Sequence, residues 1–169
     1  GEDIQWTHGI KGPGLGAKVG DTNPTGLNDV GINGGFSLRT MTKKDGAAVQ
    51  YIYDQRKEDG KAGEDVKLLN ANGDPVVYQT GDVIQISQHV KMNSAGVADG
   101  ELITTINGNE VLHLTDRIWS QSGEYGINTL FFDIWHGGST DDFIPATDSL
   151  VYIDNIGIST QPITPDLFN

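Results

Sequence analysis

FSLRTMTKKDGAAVQYIY, residues 36–53, reads as two strands joined by a turn. Asp45-Gly46 between two alternating segments is a strong hairpin signal. Successive side chains of a strand point to opposite faces, so residues two apart share one. Phe36, Leu38 and Thr40 therefore point one way, and Ser37, Arg39 and Met41 the other. On the returning strand Gln50 and Ile52 share a face, and Val49, Tyr51 and Tyr53 share the opposite one. The spacing predicts a serine, an arginine and two tyrosines lining one surface.

The same period of two recurs along the chain. In DVIQISQHVKMN, residues 82–93, the apolar Val83, Ile84, Ile86, Val90 and Met92 alternate with a polar face of Gln85, Ser87, His89 and Lys91. GELITTING, residues 100–108, turns at Asn107-Gly108 into NEVLHLTD, a second hairpin. INTLFFDIWHGG (127–138) and SLVYIDNIGIS (149–159) complete the set of expected strands. A helical stripe is not sustained anywhere, and the best helix candidate, Glu64 to Leu69, is too short to count. With 23 glycines punctuating short strands, the expected fold is all-β. It is an antiparallel β-sandwich or jelly roll, one domain over residues 1–169, with a concave sheet that suits an extended polymer. The opening 35 residues, rich in Gly, Pro, Asn and Asp, read as a long functional loop.

A chain of 169 residues buries a real core without staples, and with no cysteine no disulfide is available. No apolar run is long enough to cross a bilayer, so a membrane is not an expected partner. A net charge of −12 argues against nucleic acid, whose binding rests on Lys and Arg neutralising phosphates. Yet nine of the 11 basic residues fall before residue 70, leaving room for a local basic groove that takes an anionic ligand. The first residue is glycine and no signal-like segment stands before it, which reads as a processed or trimmed, secreted chain.

The four histidines, His8, His89, His113 and His136, show no metal-ligand spacing, so no metal is expected on them. Residues 21–29 (DTNPTGLND) and 139–142 (STDD) offer oxygen ligands for calcium but serve equally as turns. No nucleophile elbow surrounds a serine, GPGLGAKVG lacks the ending of a phosphate loop, and no cofactor is expected. Glu101, Glu110, Asp133 and Asp154 could supply a glycosidase pair, though the sequence alone does not pair them. The hairpin at 36–53 fits either an ordinary sheet surface or a β-elimination site. Elimination from a uronic acid removes the C5 proton, α to the carboxylate, and expels the C4 oxygen. The carboxylate must be neutralised by Arg or Lys, and tyrosine can move the proton.

At these residues the chain resembles polysaccharide lyase family 14, the jelly-roll lyases of alginate and related polyuronates. GIKGPGL (9–15) is similar to that family's Gly-Lys-Leu-Pro-Gly-Leu element, and FSLRTMTKKDG followed by YIY matches its Ser-x-Arg and Tyr-x-Tyr pairs. Residues 86–108 and 131–158 resemble two further segments of the family. The resemblance implies Lys11, Ser37, Arg39, Tyr51 and Tyr53 as catalytic residues. Gln85, Ser87, His89 and Lys91, with His136, are expected to bind substrate. It implies a secreted enzyme that cleaves alginate or glucuronan by metal-independent β-elimination. The alternative is a lectin that kept the scaffold but not turnover. Gly12 stands where the family has leucine, and Thr42 where it has tryptophan. The family domain normally carries further strands before its lysine element, so a second chain or a homo-oligomer is expected to complete the sheets.

Overall fold

The computed structural model describes residues 9–163, and His8 lies outside them. Nine strands form among these residues: β1 (Ile10–Lys18), β2 (Gly35–Thr42), β3 (Ala48–Tyr53), β4 (Glu64–Lys67), β5 (Ile86–Lys91), β6 (Gly100–Ile106), β7 (Asn109–Arg117), β8 (Thr129–Phe131) and β9 (Trp135–His136). Two short 3-10 turns, Lys44–Gly46 and Asp141–Phe143, are the only helical elements among the described residues. The first sheet has the order β4-β3-β2-β1-β8, with β9 also paired to β1, and the second has the order β5-β6-β7. All pairings are antiparallel. The expected all-β antiparallel sandwich is what the chain forms.

The hairpin of residues 36–53 forms in the register its alternation predicts. Ser37 pairs with Tyr53, Arg39 with Tyr51 and Met41 with Val49. Asp45 (φ 61°) and Gly46 (φ 77°) take left-handed backbone at the turn, a conformation glycine adopts without steric cost. Asn107 (φ 51°) and Gly108 (φ 77°) turn β6 into β7 in the same way.

Both faces of β2 and β3 are buried. One face carries Phe36, Leu38 and Ile52, which form the inter-sheet core with Ala17, Leu102 and Trp119. Trp119 is fully buried, packs on Phe36 at 5.5 Å between ring centroids, and donates its indole N–H to Lys91 O at 3.0 Å. β6 buries every second residue, as a strand covering one core must. The opposite face carries Val49, Tyr51, Tyr53 and Met41, which cluster with Val30 from the preceding loop.

A buried polar knot pins the two sheets together. Gln88 on β5 reaches inward, donating to Leu38 O at 2.9 Å and to Gln50 Oε1 at 3.1 Å, and accepting from the Leu15 N–H at 3.2 Å. Thr104 donates to Gln50 Oε1 at 2.9 Å, and Gln50 donates to Arg39 O at 3.0 Å. Gln50→Ala would strip these buried groups of a partner. It is expected to destabilise the fold by about 2 kcal/mol in denaturant unfolding. A loss under about 0.5 kcal/mol would mean the knot contributes little.

The chain departs from expectation in three places. The glycine-rich opening is not all loop: residues 10–18 are a strand inside the first sheet, between β2 and β8. Residues 64–67, within the discounted helix candidate, form strand β4. Among the described residues, 149–159 alternate as a strand should but pair with none of the nine strands, and Leu150, Tyr152, Ile156 and Ile158 are exposed.

Candidate active site

Strand β1 sets the geometry of the outer face. Its pairing with β2 slips between Lys11, opposite Met41, and Gly14, opposite Arg39. Three residues advance on β1 for two on β2, so Gly12-Pro13 forms a bulge. The bulge turns Gly12 O and Pro13 O toward β2, where they accept hydrogen bonds from Arg39 Nε at 3.0 Å and Thr40 Oγ1 at 3.0 Å. Beyond it Gly14 pairs with both Arg39 and Phe131, on the face that carries Arg39. A Cβ at position 14 would collide with Leu38 O and the Arg39 backbone. With no side chain there, Arg39 reaches across β1.

What it reaches is Asp133. Arg39 Nη2 donates to Asp133 Oδ1 at 2.5 Å and to Asp133 O at 3.0 Å. The guanidinium lies 4.3 Å from the centroid of the Trp135 ring and 5.6 Å from that of Phe131, a cation–π seat. Burial pulls the Arg39 pKa below the ordinary arginine value, and Asp133 opposes that shift.

Lys11 stands beside it. Its ammonium donates to Gly137 O at 3.3 Å and lies 5.0 Å from the centroid of the Tyr51 ring, with Lys43 at 5.9 Å from the same centroid. Burial first, then the positive charges of Lys43 and Arg39, lower the Lys11 pKa, and Asp65 partly offsets them. Lys43, next to the hairpin turn, forms an ion pair with Asp65 at 2.6 Å.

The two tyrosines sit edge to face, 5.4 Å between centroids, with their hydroxyl oxygens 3.3 Å apart. Tyr51 Oη accepts the Gly63 N–H at 3.1 Å, and Tyr53 Oη accepts the Leu27 N–H at 3.1 Å. Each hydroxyl therefore has an acceptor lone pair filled by backbone. One O–H proton bridges the pair, and the other is left to donate. Burial, reinforced by the hydrogen bond to Tyr53, pushes the Tyr51 pKa well above the usual tyrosine range. Ser37 is fully buried and donates to Pro24 O at 2.6 Å, tying the 19–34 loop over this end of the sheet.

The structure thus gathers Lys11, Ser37, Arg39, Tyr51 and Tyr53 on one face of one sheet. His136 is not brought to that face: on β9 Trp135 pairs with Lys11 while His136 pairs with Ile10, so its side chain points to the opposite side of the sheet. Burial lowers its pKa. Gln85, Ser87, His89 and Lys91 are not brought there. Gln88 enters the inter-sheet core, so Ser87 and His89, its neighbours on β5, point out from the far side of the second sheet. Lys91 shares their side, and Gln85 lies exposed before the strand. Trp135 and Lys43 are site residues that no spacing in the sequence indicates, and Asp133, a candidate for a glycosidase pair, stands here as the partner of Arg39. Among the described residues no three His, Asp or Glu side chains come together as a metal-binding set.

Known proteins share this architecture. The family model for polysaccharide lyase 14 matches residues 1–156. The fold is similar to that of the marine PL-14 alginate lyase from Aplysia kurodai, with TM-score 0.67, 21% identity, and 84% of this chain and 59% of that one covered. It is similar to alginate lyase vAL-1 from Chlorella virus, with TM-score 0.62, 22% identity, and 80% and 57% covered. It is also similar to a double mutant of alginate lyase Aly36B in complex with an alginate tetrasaccharide, with TM-score 0.62, 22% identity, and 84% and 58% covered. The chain therefore spans less than two thirds of the length of each of these lyases. No curated protein matches it.

Proposed function

Because the chain belongs to polysaccharide lyase family 14, we propose that it cleaves a uronic-acid polymer, alginate or glucuronan, by β-elimination without a metal. The observation that carries this reading is the convergence of Lys11 and Arg39 beside the Tyr51–Tyr53 hydroxyl pair. Arg39 and Lys11 bind the substrate carboxylate and neutralise it, which stabilises the charge that builds as the C5 proton leaves. A tyrosine in its ionised form, which burial opposes at Tyr51, accepts that proton, the C–H electrons form the C4=C5 double bond, and the expelled C4 oxygen takes the proton back from the tyrosine hydroxyl so formed. Tyr51, the less buried of the two, faces the substrate, and Tyr53 passes protons from behind it. Ser37 orients this end of the site through the loop it holds. Ultraviolet absorbance of the unsaturated product tests the reading. A folded protein that yields none from any polyuronate would overturn it.

The Lys11 pKa gives this reading a pH dependence. The ammonium neutralises substrate only while charged, and in the fold it loses its proton below the ordinary lysine value of 10.5. Activity should therefore fall on an alkaline limb that lies below 10.5. Lys11→Arg, charged throughout, should shift that limb upward. A limb unmoved in Lys11→Arg would assign it to another group.

A second reading, a lectin without turnover, draws on Arg39 and both tyrosine hydroxyls being held by the chain itself. A glycan array separates the two: saturable binding of neutral sugars, unchanged in Arg39→Ala, favours the lectin. The proposal includes secretion, since such polymers are met outside the cell. It also includes a second copy that completes the sheets against the exposed Leu150, Tyr152, Ile156 and Ile158. A strict monomer by light scattering would remove that part.

A further inference from the structure

Resting on the lyase reading, we propose that Asp133 is a specificity-determining residue: it holds Arg39 in the free protein, and a substrate uronate binds by taking its place. The two members of the pair are unequally buried. The Arg39 side chain is 3% exposed and that of Asp133 is 48% exposed. A guanidinium so deeply buried cannot remain without a counter-charge, because its lost hydration must be replaced. It cannot turn back to water either. Nε is fixed on Gly12 O, and the plane is seated on Trp135 and against Phe131. Asp133 is under no such constraint. Half in water already, its carboxylate regains hydration at little cost when released.

Exchange of one carboxylate for another at Arg39 is therefore close to balanced, and Asp133 is the partner that moves. Among the described residues no acceptor takes Arg39 Nη1. An incoming carboxylate first meets that arm, with the Lys11 ammonium on the same face, and then displaces Asp133 from Nη2. A neutral sugar has no charge to exchange, so it leaves the Arg39–Asp133 pair closed. Asp133 thereby makes the site select for a carboxylate while weakening its affinity for one. This also places a negative charge beside the cation in a chain whose net charge is −12.

Asp133→Asn keeps an oxygen acceptor for Arg39 but removes the competing charge. Asp133→Glu keeps the charge. Calorimetric titration with a defined alginate tetrasaccharide, on the Tyr51→Phe background to prevent cleavage, reads the exchange directly. Asp133→Asn should bind about tenfold more tightly, and Asp133→Glu should stay within about twofold of the parent. Asp116→Asn, on β7 of the second sheet, makes the same change in net charge away from the site and should leave binding unchanged within about twofold. The inference is overturned if Asp133→Asn binds no tighter than the parent, or if Asp116→Asn tightens binding as much. If the parent binds the tetrasaccharide and the wild type cleaves alginate while Asp133→Asn shows no gain, only the Asp133 inference fails. If neither parent nor variant binds and the wild type cleaves nothing, the lyase reading fails and takes this inference with it.

Discussion

Arg39→Ala is expected to lower kcat/KM between about a hundredfold and a thousandfold, the usual loss when a preorganised donor to developing charge is removed. Stability should fall far less, by about 1–2 kcal/mol, because the groups left behind can be hydrated or are weak. Asp133 is already half in water, and Gly12 O loses one hydrogen bond. Lys44, exposed on the hairpin turn, is the contrast. Lys44→Ala should change only the salt dependence of association, since exposed charges are screened beyond roughly 8–10 Å. Lys43→Ala should fall between them, because Lys43 pairs with Asp65 and lies over Tyr51. Rates measured for the three variants across ionic strength separate a site from a generally basic surface. Equal losses that vanish in salt would make Arg39 one more surface cation.

The hairpin carrying these residues was legible because its alternation has a side chain at every position. Phe36, Leu38 and Ile52 mark the core face, so Ser37, Arg39, Tyr51 and Tyr53 have to share the other. Strand β1 was illegible for the opposite reason. Gly12, Gly14 and Gly16 carry no side chain to alternate, and Pro13 reads as a breaker. Those glycines are what let Arg39 cross the strand, so the feature that hid β1 is the one that forms the site.

Distance along the chain hides which residues meet Arg39. Asp133 and Trp135 lie some ninety residues after Arg39, and only the pairing of β8 and β9 with β1 brings them together. No local spacing encodes that. Ser87, His89 and Lys91 do form the polar face of a strand, with Gln85 just before it. Which sheet that strand joins is a matter of topology. Gln88, an apparent break in the apolar row, is the polar residue that points inward.

Tyr51→Phe and Tyr53→Phe should each lower kcat by roughly a hundredfold to ten-thousandfold with little change in KM, the expected cost of losing a group that moves a proton in the transition state. Neither ring leaves its packing, so the only groups lost are the hydroxyls. Each removal leaves one backbone N–H without its acceptor, Gly63 for Tyr51 and Leu27 for Tyr53, at about 1 kcal/mol of stability. The two variants differ in which backbone segment they release. Gly63 precedes the edge strand β4, whereas Leu27 belongs to the loop that Ser37 also ties down through Pro24. Tyr53→Phe should therefore loosen residues 19–34 and raise their backbone hydrogen exchange, while Tyr51→Phe should leave that loop unchanged. The rate losses decide the chemistry. If Tyr51 meets the substrate and Tyr53 only relays behind it, Tyr51→Phe falls further, and the double variant falls scarcely beyond Tyr51→Phe alone, because the hydroxyls act as one unit. Losses below tenfold in both variants, alongside the exchange change in Tyr53→Phe, would leave the tyrosines as anchors for loops and remove them from the reaction.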